Sequence, residues 1–148
     1  MPVVHQSLTV PHSVSEMYQL VDKVEDYAQF LPWCTESKVL SRDEDEVRAT
    51  LVLEASGFQK AFTTCNRLQK DKMIEIRLVD GPFHQLEGFW RFDSLEENKS
   101  VVTLDLEFEF SSKLLALAFG PFFHQVANSL VDAFSKRAAV LYGVPALA

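Results

Sequence analysis

Residues 101–110 read VVTLDLEFEF, so nearly every second side chain is apolar. Val102, Leu104, Leu106, Phe108 and Phe110 share one parity; Asp105, Glu107 and Glu109 share the other. A period of two describes a β-strand with one dry face and one wet face. Three further stretches repeat it. Glu46–Ser56 sets Val47, Ala49, Leu51 and Leu53 against Arg48, Thr50 and Glu54, with Val52 breaking the polar side. Lys72–Val79 sets Ile74, Ile76 and Leu78 against Glu75 and Arg77. Gln85–Leu95 sets Leu86, Gly88, Trp90 and Phe92 against Glu87, Arg91 and Asp93. Strands with one wet face belong to antiparallel sheets. The charged stretches Asp43–Glu46 and Glu96–Lys99 read as hairpin tips, and Asp80-Gly81-Pro82 as a turn.

The flanks have a different period. Val3–Thr9 is a short first strand. Ser13 and Glu16 then form a capping box ahead of Val14, Met17, Tyr18 and Val21 at helical spacing. A second short helix is expected over Glu25–Phe30, stopped by Pro32. After the strands, Phe119, Phe123, Val126, Leu130, Phe134 and Leu141 form an apolar stripe at a period near 3.6. Gly120-Pro121 is expected to bend or restart this helix, because proline has no N–H and crowds the preceding turn. From Phe122 to Tyr142 it would run ~31 Å, with Gly143 as its stop. Prolines 2, 11, 32, 82, 121 and 145 all fall at expected element boundaries. These elements predict one α+β domain over residues 1–148. A curved antiparallel sheet covers its apolar face with the long C-terminal helix, and two short helices follow the first strand. A sheet gripping a single helix leaves a gap suited to a small molecule.

The composition excludes several alternatives. Two cysteines in 148 residues cannot make a disulfide framework, and their spacing does not suit a metal. The net charge of −7 argues against DNA or general nucleic-acid binding, which needs clustered Lys and Arg. No basic segment followed by an apolar one opens the chain, and Leu114–Phe123 is too short to span a bilayer and holds Gly-Pro. A reducing cytoplasm is the expected compartment. His5, His12, His84 and His124 lack metal-ligand spacing, so no metal site is expected. Cys34 and Cys65 sit in no nucleophile motif and read as inert thiols, and no catalytic residue is assigned. The 12 Phe are the feature that needs explaining.

Several motifs in order resemble one family. They are Tyr27-Ala28-Gln29-Phe30-Leu31-Pro32-Trp33-Cys34, Leu78-Val79-Asp80-Gly81-Pro82-Phe83 and Leu86-Glu87-Gly88-Phe89-Trp90-Arg91-Phe92. Leu106-Glu107-Phe108-Glu109-Phe110 and Ala133-Phe134-Ser135-Lys136-Arg137-Ala138 complete the set. Together they resemble the coenzyme Q-binding protein and ribosome-association toxin RatA family, of the START-like polyketide cyclase and lipid transport superfamily. The resemblance implies a helix-grip fold, START-like and birch-pollen-allergen-like. It implies non-enzymatic binding of an isoprenoid ligand, most simply ubiquinone, in support of respiratory electron transport. No cofactor is required beyond that lipid, and transient contact with the respiratory membrane follows. It implies equally a RatA-like toxin that binds the large ribosomal subunit and blocks subunit association. A polyketide cyclase or aromatase is the third alternative.

The expected cavity wall is Leu51, Leu53, Phe62, Ile76, Trp90, Phe92, Leu106 and Phe108 on the sheet, faced by Phe123, Leu130 and Phe134 on the helix. Simple core packing is the competing reading for each. The expected mouth is Tyr27, Phe30, Leu31 and Trp33 on one side and Pro82, Phe83, Phe119 and Phe122 on the other. Thr64 and Asn66 share the parity of Phe62 and could place polar atoms inside. Lys113, Lys136 and Arg137 would supply the basic patch for a ribosomal contact.

Overall fold

A computed structural model describes residues 3–55 and 58–143. Strand β1 (Val3–Val10) leads into helix α1 (Val14–Asp22), a 3₁₀ turn (Val24–Asp26) and the one-turn helix α2 (Tyr27–Phe30). Strands β2 (Cys34–Arg42), β3 (Glu46–Ala55), β4 (Phe58–Gln69), β5 (Met73–Asp80), β6 (Phe83–Glu96) and β7 (Lys99–Phe110) follow, and α3 (Lys113–Tyr142) closes the order. Ser56, Pro2 and Pro145, named above, lie outside the described residues. The strands form one sheet in the order β1-β7-β6-β5-β4-β3-β2, with every pair antiparallel. The α+β helix-grip expectation is therefore met.

In β7 the apolar parity is buried throughout, at Val102, Leu104, Leu106, Phe108 and Phe110, and Thr103 is the one residue of the opposite parity that is buried as well. β2 has no such pattern in the sequence. It is an edge strand, paired on one side only, and most of its side chains are wet. Register shifts in β2, between β4 and β5 at Thr63/Thr64, and at both ends of β6 bend the sheet. Gly88 lies opposite Leu106 in β7, and a Cβ there would sit 2.0 Å from the Asp105 carbonyl oxygen. Only glycine lets β6 and β7 approach so closely at mid-sheet.

The capping box forms as expected. The Glu16 amide donates to Ser13 Oγ at 3.2 Å, and the Ser13 amide donates to Glu16 Oε1 at 3.1 Å. The expected second helix divides into the 3₁₀ turn and α2.

The last helix differs from expectation. It starts at Lys113, not Phe122, and runs through Pro121 as one element of ~45 Å. Its N-cap is Ser112, whose hydroxyl accepts from the Leu115 amide at 3.1 Å. Pro121 cannot bond the Leu117 carbonyl, but Leu117 is 80% exposed, so water can take that carbonyl. Leu141 is 50% exposed and is not on the buried stripe; Val131 and Ala138 hold that face instead. The expectation that no apolar run reaches spanning length is also corrected. An 18-residue window of α3 has mean hydropathy 1.4 and at most two charges. In this fold its buried face lies along the sheet.

Two apolar clusters fill the gap between sheet and α3. The first joins Tyr18, Val21, Val24 and Tyr27 to Trp90, Phe92 and Leu104 of the sheet and Val131, Phe134 and Ala138 of α3. The second joins Phe83, Leu86, Phe108 and Phe110 to Phe119 and Phe123.

Candidate functional site

A cavity of about 90 Å³ opens where the two clusters meet. The sheet contributes Leu51, Leu53, Phe62, Ile76, Trp90 and Leu106, and α3 contributes Phe123, Leu130 and Phe134. All but two of the expected wall residues thus come together. Phe92 and Phe108 do not join them. Phe92 packs edge-on to Tyr18 at 5.8 Å inside the first cluster. Phe108 meets Phe123 at 4.7 Å and Phe110 at 6.0 Å inside the second. Both stand on the dry face, but their rings are used to fill it.

Four wall residues were not singled out from the sequence: Val21, Val24, Val126 and Ala127. Val21 and Val126 carried a helical-spacing signal. Ala127 carried none, because a small residue on a buried face reads as packing.

Thr64 and Asn66 both line the cavity. The Thr64 hydroxyl donates to Asn66 Oδ1 at 3.1 Å. That contact uses the carbonyl end of the amide. Asn66 Nδ2 has no acceptor among the described residues, so it is an unspent donor on an apolar wall. The Tyr27 hydroxyl is spent, since it donates to the Val21 carbonyl. Burial, reinforced by the Asp22 carboxylate, holds that phenol protonated far above its ordinary range.

The expected mouth residues separate into two groups. Tyr27 and Trp33 line the cavity itself. Phe30 lies beside them, edge-on to Tyr27 at 6.2 Å and to Phe134 at 5.2 Å. Leu31 is a core residue, only 1% exposed, and does not line this cavity. Pro82, Phe83, Phe119 and Phe122 are not at this cavity at all. Phe83 and Phe119 are buried in the second cluster, and half-buried Phe122 packs on Phe119 at 5.2 Å. Pro82 stands in the turn before β6, where its carbonyl accepts from the Ser111 amide at 3.0 Å. The physical reason is that ring contacts fill the interior of the second cluster; a groove of about 430 Å³ runs outside it along Phe108, Phe110, Gly120 and Pro121 and shares no lining residue with this cavity.

The two cysteines are free. Burial raises the Cys34 thiol above its ordinary value. Partial burial, then the hydrogen bond to Glu46 at 3.0 Å, does the same for Cys65. Neither is poised as a thiolate.

A family model described as polyketide cyclase / dehydrase and lipid transport matches residues 10–135. The chain belongs to that family. Within the polyketide cyclase / dehydrase and lipid transport family, one relative is the ribosome association toxin RatA of Escherichia coli strain K12. It is 41% identical over 96% of this chain and 90% of its own length. Another is the mitochondrial coenzyme Q-binding protein COQ10 homolog B of Xenopus laevis. It is 33% identical over 93% of this chain, which spans 58% of that longer protein. Among solved structures, a START superfamily protein from Mycobacterium smegmatis superposes with TM-score 0.76 at 21% identity, covering 94% of this chain and 98% of that one. The Zhui aromatase/cyclase from Streptomyces superposes with TM-score 0.69 at 18% identity, covering 96% and 88%. At such identities these two likenesses speak for the fold alone.

Proposed function

We propose that this chain binds a neutral, apolar ligand bearing a carbonyl oxygen and does not transform it. The ligand class is an isoprenoid quinone of the ubiquinone type. The supporting observation is a largely apolar cavity whose wall offers unspent neutral donors, Asn66 Nδ2 and the Trp33 indole N–H among them. A quinone carbonyl is an acceptor that needs one such donor and no counter-charge. A charged head group would be left without a partner there. The name of the coenzyme Q-binding relatives supports the same class. The non-enzymatic reading rests on the lining. Thr64 and Asn66 are not acid–base groups near neutral pH, and the Tyr27 proton is held by Val21. In the cell such a protein would collect its ligand at the respiratory membrane from the cytoplasmic side and support electron transport there.

Solvent extraction of natively purified protein, followed by mass spectrometry, tests this reading. A quinone recovered in near-stoichiometric amount is expected. Protein that carries no isoprenoid, and that takes up none when a ubiquinone is supplied, would overturn it.

A second reading is favoured by the 41% identity to RatA across 90% of that protein's length. In it the chain binds the large ribosomal subunit and hinders subunit joining. The basic patch suggested for this contact is largely occupied. Lys136 pairs with Asp132 at 3.0 Å, and Arg137 lies over the Phe30 ring at 5.1 Å and donates to Gln29 at 3.3 Å. A ribosomal contact would therefore lean on protein surfaces more than on rRNA. Sucrose-gradient sedimentation of ribosomes with excess protein decides it: free subunits rise if the reading holds, and an unchanged profile removes it.

A further inference from the structure

The cavity is too small for the ligand class proposed for it. It measures about 90 Å³, whereas ligand sites usually measure ~300–1,000 Å³. A surface groove of about 380 Å³ lies alongside, between the Phe30–Trp33 segment and the second half of α3. One residue lines both spaces, the indole of Trp33. The groove alone falls in the usual range, and the cavity would add a buried apolar end to it.

Trp33 packs against both apolar clusters, but it is the one aromatic of the cavity wall, among the described residues, with no ring–ring contact. Tyr27, Phe62, Trp90, Phe123 and Phe134 each pack against at least one other ring. Among the described residues Trp33 has no ring partner, and its indole N–H makes no hydrogen bond. Its neighbours are fixed. Phe30 is held by Arg137, Tyr27 and Phe134, and Leu31 is buried. The Trp33 backbone is fixed as well, because its carbonyl accepts from the Glu54 amide at 2.9 Å. Motion at this point therefore requires only a side-chain rotation. Beyond the indole, Phe30, Pro32, Ala133 and Val140 give the groove an apolar floor, and Ser129, Asp132, Lys136 and Arg137 also line it.

We infer that Trp33 is the door of the binding site, and that the groove holds the tail of the same ligand whose head enters the cavity. The indole swings outward, joins the two spaces and closes over the chain of the ligand. This rests on the quinone-binding reading above. Nothing else in the groove's lining requires the tail to be short, because its outer end is open to solvent.

Stopped-flow binding of decylubiquinone tests the door. Trp33 and Trp90 both line the cavity, so quenching of their fluorescence reports arrival of the ring. The Trp33→Ala variant keeps Trp90 as reporter and is expected to raise both the association and the release rate about tenfold. A residue that only touched the ligand would change release and leave association where it was. Ser129→Trp, at an exposed position on the groove wall, is expected to slow association by a similar factor. Saturable binding with association unchanged in both variants would overturn the door while sparing the cavity. Absence of any saturable quenching in the wild-type chain would overturn the cavity reading, and the door with it.

Discussion

The gap between sheet and α3 is closed in one place and open in another, and the two regions use many of the same residue types. In the second cluster Phe83 stacks on Phe110 at 4.8 Å and meets Phe123 at 5.0 Å, and Phe108 meets Phe123 at 4.7 Å. Each such contact adds ~0.5–1.5 kcal/mol beyond area burial. At the seam with the first cluster, the dry-face positions of β4 are Thr64 and Asn66, and α3 presents Ala127. Short or polar side chains stand where rings would otherwise meet. The comparison teaches that an abundance of Phe does not itself make a cavity. The space exists where Thr64, Asn66 and Ala127 stand between rings such as Phe62, Phe123 and Phe134.

The largest expected effect is on the closed side. Phe108→Ala should cost ~3–5 kcal/mol in chemical denaturation, the usual range for a fully buried ring in a region that cannot collapse. Leu130→Ala, on the open side and half-exposed, should cost well under half of that. Equal losses would mean that the seam is as tightly packed as the cluster.

Gly81 is next. Its φ of +154° is one that other residues rarely adopt, and a Cβ there would lie 2.6 Å from the Cβ of Phe62 on the cavity wall. Gly81→Ala should cost ~1–3 kcal/mol and weaken quinone binding by displacing Phe62. A stable variant with unchanged affinity would separate this turn from the site.

Ala127→Leu sharpens the contrast differently. In a filled core the added bulk would cost ~1–3 kcal/mol. Grown into the cavity it should leave the thermal midpoint nearly unchanged and lower quinone affinity about tenfold or more. A large drop in stability would show that no usable space lies beside it.

The smallest effect is with pH. Burial, then the nearby Asp22 and Asp71 carboxylates, pushes Tyr18 from 10.0 up to about 12, and Tyr27 is raised further. The fold favours their protonated forms. That stability is complete below pH 10.0 and is lost as pH rises through the folded value near 12. Both tyrosines belong to the first cluster, whereas the buried residues of the second include no titratable group. Hydrogen exchange should therefore show α1 and α2 loosening in alkali before the start of β6 and the end of β7. Simultaneous loosening would indicate one cooperative core.

Much of the fold was legible because β3, β5, β6 and β7 alternate cleanly, and because Ser13 and Glu16 announce α1. β2 was not legible, since an edge strand with both faces mostly wet shows no period. The start of α3 is not legible, because Pro121 reads as a breaker and whether its missing bond falls on the wet side is invisible in one dimension. The site was partly legible for a related reason. Parity placed Phe92 and Phe108 on the dry face correctly, but parity does not say which rings touch one another. The empty volume depends on that third dimension. Ala127 and Trp33 show the two extremes: the first looks like ordinary packing, and the second is defined by partners it lacks.

Methyl NMR during titration with a ubiquinone tests the central claim most directly. The methyl groups of Leu51, Leu53, Ile76, Leu106 and Leu130 on the open seam should shift in a saturable way. Those of Val4 and Leu86 in the closed cluster should stay where they are. Shifts confined to the exposed Leu114 and Leu117, or no saturable shift anywhere, would contradict it.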